Sequence, residues 1–126
     1  MKTNKISCAQ MKKPNAMEYF KSLNPNIWCV IHLIINYKHA QNPEMLKYFK
    51  SLKPSADDVS ILIIGCKHYQ TAEMIKYYKS LKPSIENIRV FTDNCTYAQT
   101  PEMLEYLIRR MLQLYSKLKR KSLKEQ

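Results

Sequence analysis

The sequence predicts an α/β repeat protein, a short curved solenoid with parallel strands on one side and helices on the other. Two observations predict this fold class. The chain is self-similar at a period of 29 residues, since Tyr37–Pro54 and Cys66–Pro83 are identical at 12 of 18 positions. Within each copy, a helical pattern alternates with a short, β-branched apolar run. Self-similarity at a period of about 20 to 50 residues is typical of units that stack and share one elongated core.

The repeats fill most of the chain. Four copies span approximately residues 8–36, 37–65, 66–94 and 95–116, and a basic C-terminal tail occupies 117–126. A chain of 126 residues is normally one domain, so we expect a single repeat domain over 1–126. Gly65 is the only glycine, which excludes the glycine-rich loops that cradle phosphates.

The first half of each copy predicts a helix. Met45, Tyr48, Phe49 and Leu52 recur at i, i+3, i+4 and i+7, which is one face of a helix. A proline suits the first turn, and a second proline ends the helix because it pushes the preceding residue out of the α region. The same pattern recurs at 14–25, at 72–83 and from 101 onward. The last helix continues its apolar stripe as far as Leu118, and we expect it to cap the final repeat.

The second half of each copy predicts a strand. The runs Cys29–Ile35, Val59–Ile64 and Ile88–Phe91 are short, apolar and mostly β-branched. Strand–helix–strand units with short connections form parallel pairs with right-handed crossovers, which places every helix on one side of the sheet. The alternative is a compact three-layer α/β domain with both sheet faces covered, because strands buried on both faces also read as continuous apolar runs.

The passage from helix to strand resembles the leucine-rich-repeat family in its longer, helix-containing form. Leu81–Val90 matches the L-x-x-L-x-L spacing that ends a helix and enters a strand in that family. His32 and Ala56 depart from it at core positions, and the expected Asn is displaced by one residue, to Asn36 and Asn94. The resemblance implies a horseshoe-shaped solenoid, with strands on the inner curve.

The outward face of the predicted strands is the candidate interface. If Ile88 and Val90 face the helices, the alternate residues face away, and the repeat offset extends this apolar face along the array. Exposed apolar patches of that size usually mark an interface. The leading prediction is therefore non-enzymatic protein–protein interaction, although dimerisation, a covering loop or an inverted face assignment are open alternatives. The predicted partner-binding residues are Ile31, Leu33, Leu62, Ile64, Arg89, Phe91 and Asp93.

The charge balance supports an alternative function. The net charge is +11, from 21 Lys and Arg against 10 Asp and Glu, which suits a nucleic-acid partner. An ordinary solvated surface would show the same basic columns. The basic tail is open to three interpretations, a nuclear-import signal, a nucleic-acid contact or a solvated terminus. The candidate nucleic-acid contacts are Lys21, Lys50, Lys53, Lys79, Lys82, Lys119, Arg120 and Lys121.

No catalytic residue, cofactor or metal site is predicted. Cys66, His68, His39 and Cys95 share repeat positions and would suit zinc by ligand type. No CxxC spacing accompanies them, and repeat copying alone explains their alignment. A nucleophile would also need an activating base within reach, for which the sequence gives no sign.

The expected location is cytoplasmic or nuclear. The N-terminus lacks the apolar region of a signal peptide. The longest apolar run, Ile27–Ile35, is far shorter than the roughly 20 residues of a spanning helix, so no membrane association is expected. Self-association through open edges is a further option.

Overall fold

Every regular element in the described part of the chain is helical. The computed structural model describes residues 16–125, with side-chain environments for 17–121. Within this range the α-helices are α1 Ala16–Ser22, α2 Ile27–Asn36, α3 Pro43–Ser51, α4 Ala56–Gly65, α5 Ala72–Ser80, α6 Ile85–Asn94 and α7 Pro101–Glu125. Short 3₁₀ turns lie at Lys38–Ala40, Lys67–Tyr69 and Thr96–Ala98.

The predicted fold class is wrong. No strand occurs between residues 16 and 125, so the α/β solenoid, the three-layer α/β alternative and the leucine-rich-repeat resemblance all fail. The three segments predicted as strands lie within helices α2, α4 and α6. The helical half of the repeat is confirmed by α1, α3, α5 and α7. Each of the two central repeats is therefore a 3₁₀ turn and two helices.

The helices that replace the predicted strands begin at polar caps. Asn26 accepts a hydrogen bond from the backbone N–H of Cys29 at 2.9 Å, and Ser84 accepts one from Asn87 at 3.0 Å. Ser55 accepts one from Asp58 at 3.1 Å, and the Asp58 carboxylate accepts one from the Ser55 N–H at 3.0 Å. Such caps satisfy backbone donors that the first helical turn leaves unpaired. They define the start of a helix within sequence that is apolar enough to resemble a strand.

A glutamine amide braces each 3₁₀ turn. The side chains of Gln41, Gln70 and Gln99 lie 29 residues apart, and each donates to a carbonyl seven residues earlier. The distances are 3.0, 3.1 and 2.9 Å. These carbonyls belong to the ends of α2, α4 and α6, where helices leave acceptors unpaired. The glutamine therefore ties the end of one helix to the turn that leads into the next.

Helices α1, α3 and α5 each end in left-handed backbone. Asn24, Lys53 and Lys82 have φ of 48°, 54° and 52°, and a proline comes directly after each of them. Left-handed residues at this place commonly end helices, and proline prevents continuation. The chain makes these turns without glycine.

The contacts of the chain group into two compact units, Met1–Leu81 and Lys82–Gln126. In the first unit α2 packs against α4, while α3 packs against α2 and α5 against α4. The core there includes Ile34, Phe49 and Ile63, each fully buried. Gly65 matters at the α2–α4 contact, because a Cβ on it would come within 2.6 Å of Cδ1 of Ile35.

The second unit is built from α6 and the N-terminal part of α7. These two helices pack against each other, and Ile88, Phe91 and Met103 on them are buried. Arg110 donates a hydrogen bond to the Pro83 carbonyl at 3.0 Å. Beyond Arg110, every described side chain of α7 is exposed, from 111 to 121.

Candidate interaction surfaces

The structure disperses the predicted partner-binding residues. Ile31, Leu33, Leu62 and Phe91 are buried, and Ile64 is half-buried. These residues were grouped on one face of a predicted sheet, and the segments predicted as its strands are helices in the structure. Arg89 and Asp93 are exposed on α6, where Arg89 forms an ion pair with Glu86 at 3.2 Å. A role for these residues in partner binding stays a prediction.

One part of the predicted surface borders an open groove in the first unit. The groove has a volume of about 670 Å³, and Ile31 and Leu33 are among its lining residues. Trp28 also lines it and is 56% exposed. Tryptophan is over-represented among residues that carry binding energy at interfaces. The groove is therefore a secondary candidate surface.

Two of the basic residues have a structural role. The Lys21 ammonium lies 5.4 Å from the centroid of the Tyr48 ring, and the Lys50 ammonium lies 4.7 Å from that of Tyr77. The rings of Phe20 and Tyr48 also meet edge to face, at a centroid distance of 6.1 Å. In the first unit, successive repeats are therefore neighbours, as the 29-residue period predicted. Cation–π contacts between repeats explain part of the basic column without a nucleic acid.

The other basic candidates lie in two settings. Lys53 and Lys82 are exposed at the left-handed helix ends, and Lys79 is half-buried on α5. Lys117, Lys119, Arg120 and Lys121 are all exposed on the last turns of α7. The predicted tail is thus helical as far as Glu125, and it presents a concentrated positive charge.

Among the described residues, most of the exposed large apolar side chains lie on α7, which the sequence predicted only as a cap. We define the α7 stripe as Leu104, Ile108, Met111, Tyr115 and Leu118, with Leu112 and Leu114 along its edges. These seven side chains are between 47% and 64% exposed. At 100° per residue they cover one side of the helix. Their helical spacing was visible in the sequence, which predicted that they are buried against the last repeat. Of the side chains that the structure describes on α7, only those in its N-terminal turns include buried ones.

The titratable groups of the described chain do not form a reactive cluster. His32, His39 and His68 are exposed, whereas the Cys66 thiol is buried. Burial raises the pKa of that thiol, which disfavours the nucleophilic thiolate. Across residues 16–125, no three His, Cys, Asp or Glu side chains are placed to hold a metal ion.

In comparisons with known proteins, no protein-family model matches the chain, and neither does any curated protein or solved structure. Within the described residues, no helix has the length and apolar character needed to cross a membrane.

Proposed function

We propose that this chain is a non-enzymatic protein-interaction module and that the α7 stripe is its contact surface. The exposure of the stripe carries the proposal. The face of a helix that meets water is normally polar. Helix α7 instead presents seven large apolar side chains. A contiguous apolar face of this kind usually marks an interface.

Comparison with the inner repeats supports the proposal. Lys50 and Lys79 occupy the equivalent position on α3 and α5, and Ile108 occupies it on α7. An apolar residue therefore stands on α7 where the earlier helices carry a cation. That replacement costs solubility unless another surface covers Ile108.

The chemistry of the described residues agrees with a non-enzymatic role. The buried Cys66 thiol has a raised pKa, the opposite of the shift that activates a nucleophile. The acidic residues Glu44, Glu73 and Glu102 lie in first helical turns, where the helix dipole favours negative charge. Their positions follow from helix formation alone.

Site-specific photo-crosslinking tests the proposal. A photoreactive amino acid replaces Met111 in the stripe or, as a matched control, Gln113 on the opposite side of α7. We expect irradiation in a lysate of the source cells to give discrete protein adducts from position 111 and few from 113. An absence of adducts from position 111 would contradict the proposed surface.

A second function, nucleic-acid binding, is favoured by the cations of α7. Lys117, Lys119, Arg120 and Lys121 are exposed within two turns of one helix, and the whole chain carries a net charge of +11. Binding by such a cluster would weaken steeply with salt, because each neutralised phosphate releases counterions.

Fluorescence anisotropy with a duplex oligonucleotide separates this function from the first. We expect a log–log salt slope of about −0.9 per phosphate contact, reduced when the four cations become Gln. Lys21 and Lys50 are left intact, because they contact tyrosines of the next repeat. If the affinity did not change with salt concentration, or was the same in the variant with four Gln residues, the cluster would be excluded as the contact site.

The expected cytoplasmic or nuclear location forms part of the proposal. Cys29, Cys66 and Cys95 are free thiols in the described chain. Free thiols suit a reducing compartment.

A further inference from the structure

We propose that the partner of the α7 stripe is a second copy of this chain, and that the two α7 helices pair antiparallel about a twofold axis. This inference rests on the proposed interaction function and specifies its partner. A twofold arrangement lets one surface serve both copies, so a single self-complementary stripe is sufficient.

The spacing of the stripe is that of a two-helix seam. Leu104, Ile108, Met111, Tyr115 and Leu118 succeed one another at intervals of 4, 3, 4 and 3 residues. Apolar residues that alternate in this way average one per 3.5 residues, which keeps them facing a partner helix over several turns. Leu112 and Leu114 widen the stripe on either side.

The helix also lacks other support along the stripe. Every described side chain from 111 to 121 is exposed, which is nearly half of a 25-residue helix. Isolated helices shorter than about 12 to 15 residues are marginal in water, and most helices in proteins depend on packing of an apolar face. A partner helix would supply that packing.

Charge along α7 selects the antiparallel orientation. Glu102 and Glu105 lie near its N-terminus, whereas Lys117, Lys119, Arg120 and Lys121 lie near its C-terminus. A parallel pair would place two clusters of four cations side by side. An antiparallel pair places each basic end beside an acidic end, and it also opposes the two helix dipoles.

One antiparallel register aligns four of the apolar residues of the stripe. Met111 lies opposite Tyr115 of the second copy, and Ile108 lies opposite Leu118. The twofold axis repeats each of these contacts, so the four residues form four layers of the seam.

The same register aligns the charged residues at one edge of the seam. Glu105 and Lys119 border this edge and face each other between copies, and Leu112 faces its own counterpart at the centre. The twofold axis makes the Glu105–Lys119 attraction occur twice. Glu105 also forms an ion pair with Arg109 of its own helix, at 2.5 Å, which leaves its second carboxylate oxygen for the partner.

Sedimentation equilibrium of the full chain tests the pairing. We expect a mass of twice the 15.0 kDa of one chain. The double variant Met111→Lys, Tyr115→Lys should sediment as a monomer, while Gln113→Lys, a lysine on the opposite side of α7, should remain a dimer. A wild-type monomer at concentrations up to about 100 μM would overturn the proposal, as would equal loss of the dimer in both variants.

Charge exchange tests the orientation. Glu105→Lys and Lys119→Glu should each weaken the dimer about tenfold, since each single change creates two like-charge contacts. The combined variant should recover most of the affinity. Glu102→Lys with Arg120→Glu makes the same exchange away from the seam and should have little effect. Failure of the combined variant to recover, with helicity retained by circular dichroism, would overturn the antiparallel register.

The outcomes separate this inference from the function on which it rests. A monomeric chain whose position 111 crosslinks only to other proteins would refute the second copy and leave the interaction function standing. A chain that yields no adduct of any kind from position 111 would refute both.

Discussion

At the scale of single residues, the helix ends show where the sequence accepts backbone strain. Asn24, Lys53 and Lys82 all adopt positive φ before a proline. Asparagine tolerates this region better than lysine, because its short amide can hydrogen-bond locally. Repeats two and three therefore carry a strain that the first repeat avoids.

Replacing Lys53 with Asn should stabilise the chain. The left-handed conformation costs a non-glycine residue about 1 to 2 kcal/mol, and Asn recovers part of it. We expect the free energy of unfolding in urea to rise by about 0.5 kcal/mol. Lys50→Asn, three residues earlier within helix α3, serves as the control and should lower stability. A destabilised Lys53→Asn variant would contradict the assigned backbone.

The buried Tyr69 hydroxyl and Cys66 thiol make the free energy of unfolding decrease at alkaline pH. Desolvation raises the pKa of Tyr69 from 10.0 to about 12, and burial also raises that of the Cys66 thiol. The folded state holds these protons more tightly than the unfolded chain, so the Tyr69 contribution is complete below pH 10 and is lost towards pH 12. Urea midpoints measured across this range should fall. In the Tyr69→Phe variant the urea midpoint should fall less over this pH range. If it fell as steeply as in the wild type, groups other than Tyr69 would cause the decline.

At the scale of elements, the glutamine brace explains why the 3₁₀ turns recur so regularly. Gln70 is half-buried and donates to the Ile63 carbonyl, whereas Gln99 makes the equivalent bond from an exposed position. A lost hydrogen bond costs more where water cannot replace it.

Gln70→Ala should therefore destabilise the chain more than Gln99→Ala. We expect a loss of about 1 to 2 kcal/mol for Gln70, where a helix-end carbonyl loses its partner in a half-buried site. The matched Gln99 variant should lose less than half as much. Urea unfolding followed by circular dichroism gives both values. Equal losses at the two positions would show that burial does not govern the brace.

Four of the seven α-helices in the described residues were predicted as helices from the sequence, and the other three were predicted as strands for a physical reason. The helices α3 and α5 have polar residues on one side, so their 3.6-residue period is visible. Helix α4 is apolar on nearly all sides, and its run Val59–Ile64 hides the period. The caps Ser55 and Asp58 before that run were the decisive signal, together with a helix length of ten residues.

The same error of element type grouped residues that do not share a face in the structure. Ile31 and Leu33 share a face if the chain is extended, because strand side chains alternate, and the prediction pointed that face outward. In a helix these positions are 200° apart, and both are buried because α2 packs on two neighbouring helices. The sequence was sufficient to predict that successive repeats are neighbours. It was not sufficient to predict which side chains are exposed, because that depends on whether a segment is a strand or a helix.

At the scale of the whole molecule, the 29-residue period of the sequence has a visible consequence in the first unit. Lys21 and Lys50 each contact a tyrosine of the next repeat, so side chains one repeat apart are neighbours. The period does not predict the partner of α7, because the residues of the fourth copy differ from those of the other copies from Ile108 onward. The exposure of the α7 stripe supplies this information.

Hydrogen–deuterium exchange along α7, measured over a range of protein concentrations, tests the central claim most directly. If the stripe pairs with another copy, the amides of residues 111–121 should exchange slowly at high concentration and faster on dilution. The Met111→Lys, Tyr115→Lys variant should exchange fast throughout. Exchange of these amides at one rate, independent of concentration and identical in the variant, would contradict a self-pairing stripe.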